Sequence, residues 1–155
     1  MVAIEPQPDF ARLLRLLYSR DAQVVIEECG VSSSAREGSL HVSTRTPTLS
    51  TSADVWMRDV QADERFHAIR WDREIPVKLV TLDQLIAKHG EPRFVKIDVE
   101  GAERDVLDGL TRPIAALSFE YIPVAVDRAA ACVERLDQLG DYRYRYSRAE
   151  TMEWA

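Results

Sequence analysis

Two periods of hydrophobic positions alternate along the chain. Short apolar runs typical of buried strands occur at 2–4, 24–28, 77–80, 94–99 and 116–121, with a further possible strand at 39–42. Apolar residues recur at helical spacing at 8–19, 81–90, 102–110 and 129–140. Strands that alternate with helices at these intervals predict βαβ units and an α/β fold with a largely parallel sheet.

The helix boundaries carry their own signals. Pro8 suits a first turn, Thr81 with Gln84 forms a capping box, and Gly90 ends the short helix that follows. In the first helix, four apolar residues share one stripe, which predicts a face that covers the sheet: Phe10, Leu13, Leu14 and Leu17.

Two regions are harder to assign. From Ser43 to Glu74 the chain has little periodicity, which predicts a loop-rich excursion at about 43–75 that is either functional, as a lid over a pocket, or disordered. Near the C-terminus, YRYRY at 142–146 alternates tyrosine with arginine, which predicts a strand whose tyrosines pack inward.

The composition of the chain excludes several classes of protein and favours others. A chain of 155 residues with 46% apolar residues can form one domain over 1–155. A net charge of −6 argues against a nucleic-acid partner. No apolar run approaches the roughly 18 residues of a membrane span, so no membrane association is expected. Cys29 and Cys132 each lie in an apolar run, which predicts reduced core thiols and a cytoplasmic protein.

Acidic residues end several of the predicted strands. They are Glu5, Glu27, Glu28, Asp98, Glu100 and Glu120. Ligands of α/β proteins bind outside the carboxyl ends of strands, where a carboxylate can accept the hydroxyls of a ribose, so Glu5 is a cofactor candidate. Each acid taken singly could instead be a helix cap or a solvated loop residue.

The segment FVKIDVEGAERDVLDGL, residues 94–110, concentrates this chemistry. Asp98 and Glu100 lie where a buried strand stops, and Gly101 permits the turn that exposes both. The pair could bind a cation, a base or an amine. It could also stabilise the N-terminus of the following helix, and both interpretations can hold together.

This segment and the preceding VTLDQLIAKHG resemble the FkbM-type methyltransferases, S-adenosylmethionine-dependent enzymes with a three-layer Rossmann-like fold. The resemblance implies methyl transfer from S-adenosylmethionine to an oxygen, or alternatively a nitrogen, of a small molecule or glycan. It matches Glu5 to the residue that holds the cofactor ribose, and it places Glu28 and Cys29 near the adenine edge. Methylation of a hydroxyl needs a base near the acceptor proton, for which Asp98 and Glu100 are candidates, with Glu120 a third acceptor-side residue.

The sequence also departs from this family. A strand and a glycine-containing loop precede the ribose acid in the family, whereas here Glu5 is the fifth residue and no GxGxxG occurs. One further strand is expected after the tyrosine–arginine segment. The resemblance therefore predicts a truncated or degenerate methyltransferase domain, in which either the two strands flanking the gap pair directly or a second copy fills the gap as a homodimer.

Two other functions stay open from the sequence. The chain could be a noncatalytic interaction module derived from an enzyme, an alternative that the absent glycine loop favours. The acidic strand ends could instead hold Mg²⁺ for phosphoryl chemistry, although a phosphate-binding loop is lacking. His41, His67 and His89 do not have zinc-ligand spacing, so no metal site is assigned.

Overall fold

The computed structural model describes residues 1–46, 50, 51, 57 and 69–147. Its strands are β1 (Val2–Ile4), β2 (Val25–Glu27), β3 (Gly30–Val31), β4 (Arg36–Val42), β5 (Arg73–Val80), β6 (Val95–Ile97) and β7 (Leu117–Phe119). Its helices are α1 (Pro8–Leu17), α2 (Leu82–His89), α3 (Glu103–Asp108) and α4 (Val126–Leu139), and a 3₁₀ turn covers Pro123–Ala125. The predicted α/β class is confirmed.

The strands form three small sheets. β1 pairs with β2, and β6 pairs with β7, both in parallel. The third sheet has the order β3-β5-β4, with β3 parallel and β4 antiparallel to β5. The described strands therefore form separate sheets, and the antiparallel β4–β5 pair, with seven residue pairs from Arg36↔Leu79 to Val42↔Arg73, is the longest.

Most of the buried apolar side chains belong to the C-terminal half. One cluster combines residues of α2, β6, α3, the segment after α3, and α4: Leu82, Ile86, Ile97, Val106, Leu107, Leu110, Ile114, Cys132 and Leu136. A smaller cluster of four residues lies in the β4–β5 sheet: Leu40, Val42, Val77 and Leu79. Of α1, Ala11 alone is buried.

The predicted helix signals are confirmed where they concern local chemistry. The Thr81 hydroxyl accepts the Gln84 amide, and the Gln84 side chain accepts the Thr81 amide, each at 3.1 Å. Gly90 ends α2 at φ +90°, a conformation that glycine adopts without steric cost.

Two predictions about packing are wrong. Residues 142–146 form no strand; instead the Tyr142 hydroxyl donates to the Ile114 carbonyl and accepts the Ile114 amide, while Tyr144 and Tyr146 are exposed. In α1, Leu13 and Leu17 do not cover a sheet face but are exposed. The alternation at 142–146 and the leucine spacing of α1 both have the period of a buried face. The described residues provide no neighbouring surface that covers these side chains.

The predicted excursion is an insertion in the β4–β5 hairpin. Its two ends are joined by Thr44, whose amide and hydroxyl donate to the Asp72 carboxylate at 2.9 and 2.6 Å. The Thr51 amide donates to the His41 carbonyl, and the His41 amide donates to the Thr51 carbonyl. Residues 47–49, 52–56 and 58–68, which make up most of the predicted lid, lie outside the described part of the chain.

Candidate functional site

A cavity of about 1170 Å³ lies between the β1–β2 pair and the β6–β7 pair. Both strand pairs contribute to its walls through β1 and β6, and α1 and α2 add apolar side chains. Four of the predicted site residues line it: Glu5, Asp98, Glu100 and Glu120. The structure thus brings together the acids that follow β1, β6 and β7, as expected for strand ends in an α/β protein.

Glu5 lies immediately beyond β1 and is partly buried. One carboxylate oxygen, Oε1, accepts the Gln7 amide at 2.8 Å. Burial raises the pKa of Glu5, and the hydrogen bond from Gln7 opposes this shift only in part. A further donor at the carboxylate would favour its ionised form, so Glu5 is suited to bind a ligand with hydroxyl groups.

Glu100 has the most unusual backbone of the candidate acids. Its φ is +50°, the left-handed region that non-glycine residues rarely adopt, and Gly101 follows at φ +93°. The buried Thr51 hydroxyl donates to the Glu100 carbonyl at 2.7 Å and so helps to hold this conformation. The hairpin insertion therefore contacts the strand end that carries the acids.

The electrostatics of this strand end single out Glu100. Burial raises its pKa to about 7, and the nearby carboxylates of Asp98, Glu120 and Glu103 add to the shift. Asp98 itself lies on the exposed rim, where Lys96 Nζ donates to it at 2.7 Å. A carboxylate with a pKa near neutrality can exchange protons with a ligand at physiological pH.

A second cavity of about 50 Å³ adjoins the first and shares Asp98, Glu100 and Glu120 with it. It contains two residues that the sequence analysis missed, Glu103 and Arg128. Glu103 is buried, its carboxylate accepts the Gly101 amide at 3.0 Å, and burial raises its pKa. The Arg128 guanidinium donates to the Gly101 carbonyl at 3.2 Å.

These two residues hold the turn that follows β6. The signal for Glu103 was available in the sequence, since it stands three residues after Glu100 at the start of a helix. Arg128 is 27 residues from Gly101, so only tertiary structure shows their contact.

Glu28 and Cys29 lie outside both cavities. The exposed Glu28 carboxylate accepts Arg15 Nη1 at 2.6 Å, which connects the end of β2 to α1. Cys29 is a buried free thiol whose pKa is raised chiefly by burial. Their place at the adenine edge stays a prediction.

The described residues contain no group of three or more His, Cys, Asp or Glu side chains arranged to hold a metal ion. Within the same residues, no helix is both long and apolar enough to cross a membrane.

Comparison with known protein families identifies the family of this chain. No curated protein and no solved structure matches the chain. The model of the methyltransferase FkbM domain matches residues 1–146. The acids at the ends of β1, β6 and β7 and this match over nearly the whole chain lead to one conclusion: the chain belongs to the FkbM methyltransferase family.

Proposed function

We propose that this protein transfers a methyl group from S-adenosylmethionine to a hydroxyl oxygen of a small molecule or glycan, in the cytoplasm and on a three-layer Rossmann-like domain. Membership of a methyltransferase family supports the reaction class. The observation that carries the residue assignment is the cavity that contains both Glu5 and Glu100. Glu5 can hold the methyl donor, and Glu100 can act on the methyl acceptor.

The residues present fit the ribose of this cofactor. Glu5 is a partly buried carboxylate at a strand end, one oxygen of which is engaged by the Gln7 amide. In the proposal its second oxygen accepts the ribose hydroxyls, which restores the hydrogen bonds that burial has removed. When bound, the cofactor supplies an electrophilic methyl group.

Glu100 is the acceptor-side base in the proposal. Its pKa of about 7 matches the requirement that a base be partly ionised and still basic at neutral pH. Asp98 and Glu120 raise that pKa through their negative charge. Glu100 would accept the proton of the acceptor hydroxyl, while Asp98 and Glu120 would orient the acceptor toward the methyl group that the bound cofactor supplies.

Cofactor binding is tested by calorimetric titration of S-adenosylhomocysteine into the 155-residue chain. Saturable binding is expected for the parent protein and for Glu37→Ala, which removes an exposed carboxylate of β4 outside the cavity. Glu5→Ala is expected to weaken binding by at least about tenfold, because a hydrogen bond to a charged group contributes about 1.5–3 kcal/mol. Equal affinities for the two variants would refute the role of Glu5.

The base is tested with a labelled methyl donor and a panel of sugar and phenol acceptors. Glu100→Gln should lower the rate about 100-fold or more and remove the pH dependence near 7. Asp98→Asn should lower it less and leave a titration in the profile. A Glu100→Gln variant with the parent rate and pH profile would exclude general-base catalysis by this residue.

A further inference from the structure

The peptide unit between Glu100 and Gly101 is held at both ends by side chains. The Thr51 hydroxyl donates to its carbonyl, that of Glu100, at 2.7 Å, and the Glu103 carboxylate accepts its amide, that of Gly101, at 3.0 Å. The carbonyl and the amide of a trans peptide lie in one plane and point in opposite directions. Rotation of this plane would break both hydrogen bonds, so the two side chains fix the backbone that carries the Glu100 side chain.

The backbone of Glu100 needs such support. Its φ of +50° lies in the left-handed region, and the cost of that conformation for a residue with a Cβ is of the same order as one hydrogen bond. A return to the negative φ that is ordinary for glutamate would turn the Cβ, and with it the carboxylate, in another direction. The direction of the Glu100 side chain therefore depends on the bonds made to its main chain.

Thr51 is itself fixed to β4. Its side chain is buried, and its amide and carbonyl are bonded to His41 at 3.0 and 2.9 Å in an antiparallel bridge. The hydroxyl thus reaches Glu100, which is 49 residues away along the chain, from an anchored backbone. Thr51 lines neither of the two cavities. Any effect of Thr51 on a ligand must therefore pass through another residue.

We propose that Thr51 is a positioning residue for the methyl transfer: its hydroxyl holds the Glu100 carbonyl and so keeps the Glu100 carboxylate directed at the acceptor. The role in methyl transfer rests on the proposed function. The hold on Glu100 is a property of the fold, and it can be measured without turnover.

The first test is the substitution Thr51→Val, which replaces the hydroxyl by a methyl group of similar size. Glu100 would then leave the buried position and the neighbouring carboxylates that raise its pKa to about 7. We expect that pKa to fall by at least about one unit in a carboxyl NMR titration. Thr51→Ser keeps the hydroxyl and should keep the pKa of Glu100 near 7.

Thr111→Val is the matched control. It removes a hydroxyl that donates to the Asp83 carboxylate at 2.6 Å, outside both cavities, and should leave the pKa of Glu100 unchanged. Each valine variant loses one hydrogen bond, so a loss of stability does not distinguish them, whereas the pKa of Glu100 does. Thr51→Ala repeats the test if Thr51→Val does not fold. An unchanged pKa without the hydroxyl, or an equal fall in Thr51→Ser or Thr111→Val, would overturn the proposal.

The second test uses the assay with a labelled methyl donor. Thr51→Val should lower kcat about 10–100-fold and change the KM for S-adenosylmethionine less than about twofold. In a Glu100→Gln background it should cause no further loss, because Thr51 acts through Glu100. A loss in the double variant equal to the product of the two single losses would refute this route. A shifted pKa in a protein whose parent form shows no turnover would refute the proposed function but not the hold of Thr51 on Glu100.

Discussion

The two parallel strand pairs of this protein differ sharply in burial. In the β6–β7 unit, Leu107 of α3 and Leu110 beyond it are 0% exposed, and Leu136 of α4 is 1% exposed. In the β1–β2 unit, Leu16 and Leu17 of α1 are 71% and 67% exposed. Both units combine short strands with an amphipathic helix, yet only the C-terminal unit encloses a core.

The difference shows that a βαβ pattern does not by itself supply a core. The C-terminal unit is buried because α2, α3 and α4 all pack against β6 and β7. The N-terminal unit contacts α2 through the Glu27 carboxylate, which lies 2.6 Å from Lys88 Nζ and 2.7 Å from His89 Nε2. These contacts lower the pKa of Glu27, with the Lys88 hydrogen bond as the largest cause. The large cavity lies between the two units.

The strongest test of this comparison is a pair of leucine truncations. Leu107→Ala should lower the free energy of unfolding by about 2–5 kcal/mol, because it leaves a void in a closed core. Leu17→Ala, on the exposed helix, should change it by less than about 0.5 kcal/mol. Urea unfolding with an unchanged m-value measures both. A cost above about 1 kcal/mol at Leu17 would mean that α1 is covered in solution.

A pair of glycine substitutions compares packing of the C-terminal unit against the segment after β3, at Gly109, with packing inside the β3-β5-β4 sheet, at Gly30. A Cβ at Gly109, after α3, would stand 2.4 Å from the Ser32 carbonyl oxygen, and backbone there must shift. Gly109→Ala should therefore cost about 1–3 kcal/mol. At Gly30 the nearest atom is the end of the Leu79 side chain at 2.7 Å, which can move, so Gly30→Ala should cost less than about 1 kcal/mol. If Gly30→Ala lowered the stability more than Gly109→Ala in thermal unfolding, the packing at Gly30 would be the tighter of the two.

The smallest expected effect is a difference between Glu5 and Glu100 in how their pKa values respond to salt. Burial raises the pKa of both Glu5 and Glu100, but only Glu100 has neighbouring carboxylates that add to the shift. In 1 M salt the Debye length falls to about 3 Å, so the pKa of Glu100 should drop by about half a unit while that of Glu5 stays nearly constant. Carboxyl NMR titration at low and high salt measures both, and equal shifts would contradict the charge cluster.

The raised pKa of Glu100 also makes stability depend on pH. In the folded state the Glu100 carboxyl keeps its proton up to about pH 7, whereas in the unfolded chain it loses this proton near pH 4.5. Its contribution is therefore present at low pH and lost as the pH rises between those values. Glu100→Gln should reduce this loss of stability by about 1 kcal/mol. The effect is smaller than the full pKa shift implies, because solvent screens a partly exposed group.

The sequence predicted those features that depend on near neighbours. The Thr81 capping box, the Gly90 stop and the first turn at Pro8 all involve groups within one helical turn, so residue order fixes them. The acids that share the large cavity were also found, because strand ends can be read from apolar runs. The segment YRYRY shows the limit: its alternation fits a strand, but a strand needs a neighbour with which to pair.

The amino-acid sequence by itself determined the α/β alternation, the family and the acids at three strand ends. Only the tertiary structure decided that Glu100 reaches a pKa of about 7, that Thr51 holds its carbonyl, and that Arg128 holds the following turn. It also decided that β1 and β6 flank a cavity and do not pair. The physical reason is that burial, pairing and charge clustering depend on groups far apart in the chain, whose approach no local pattern encodes.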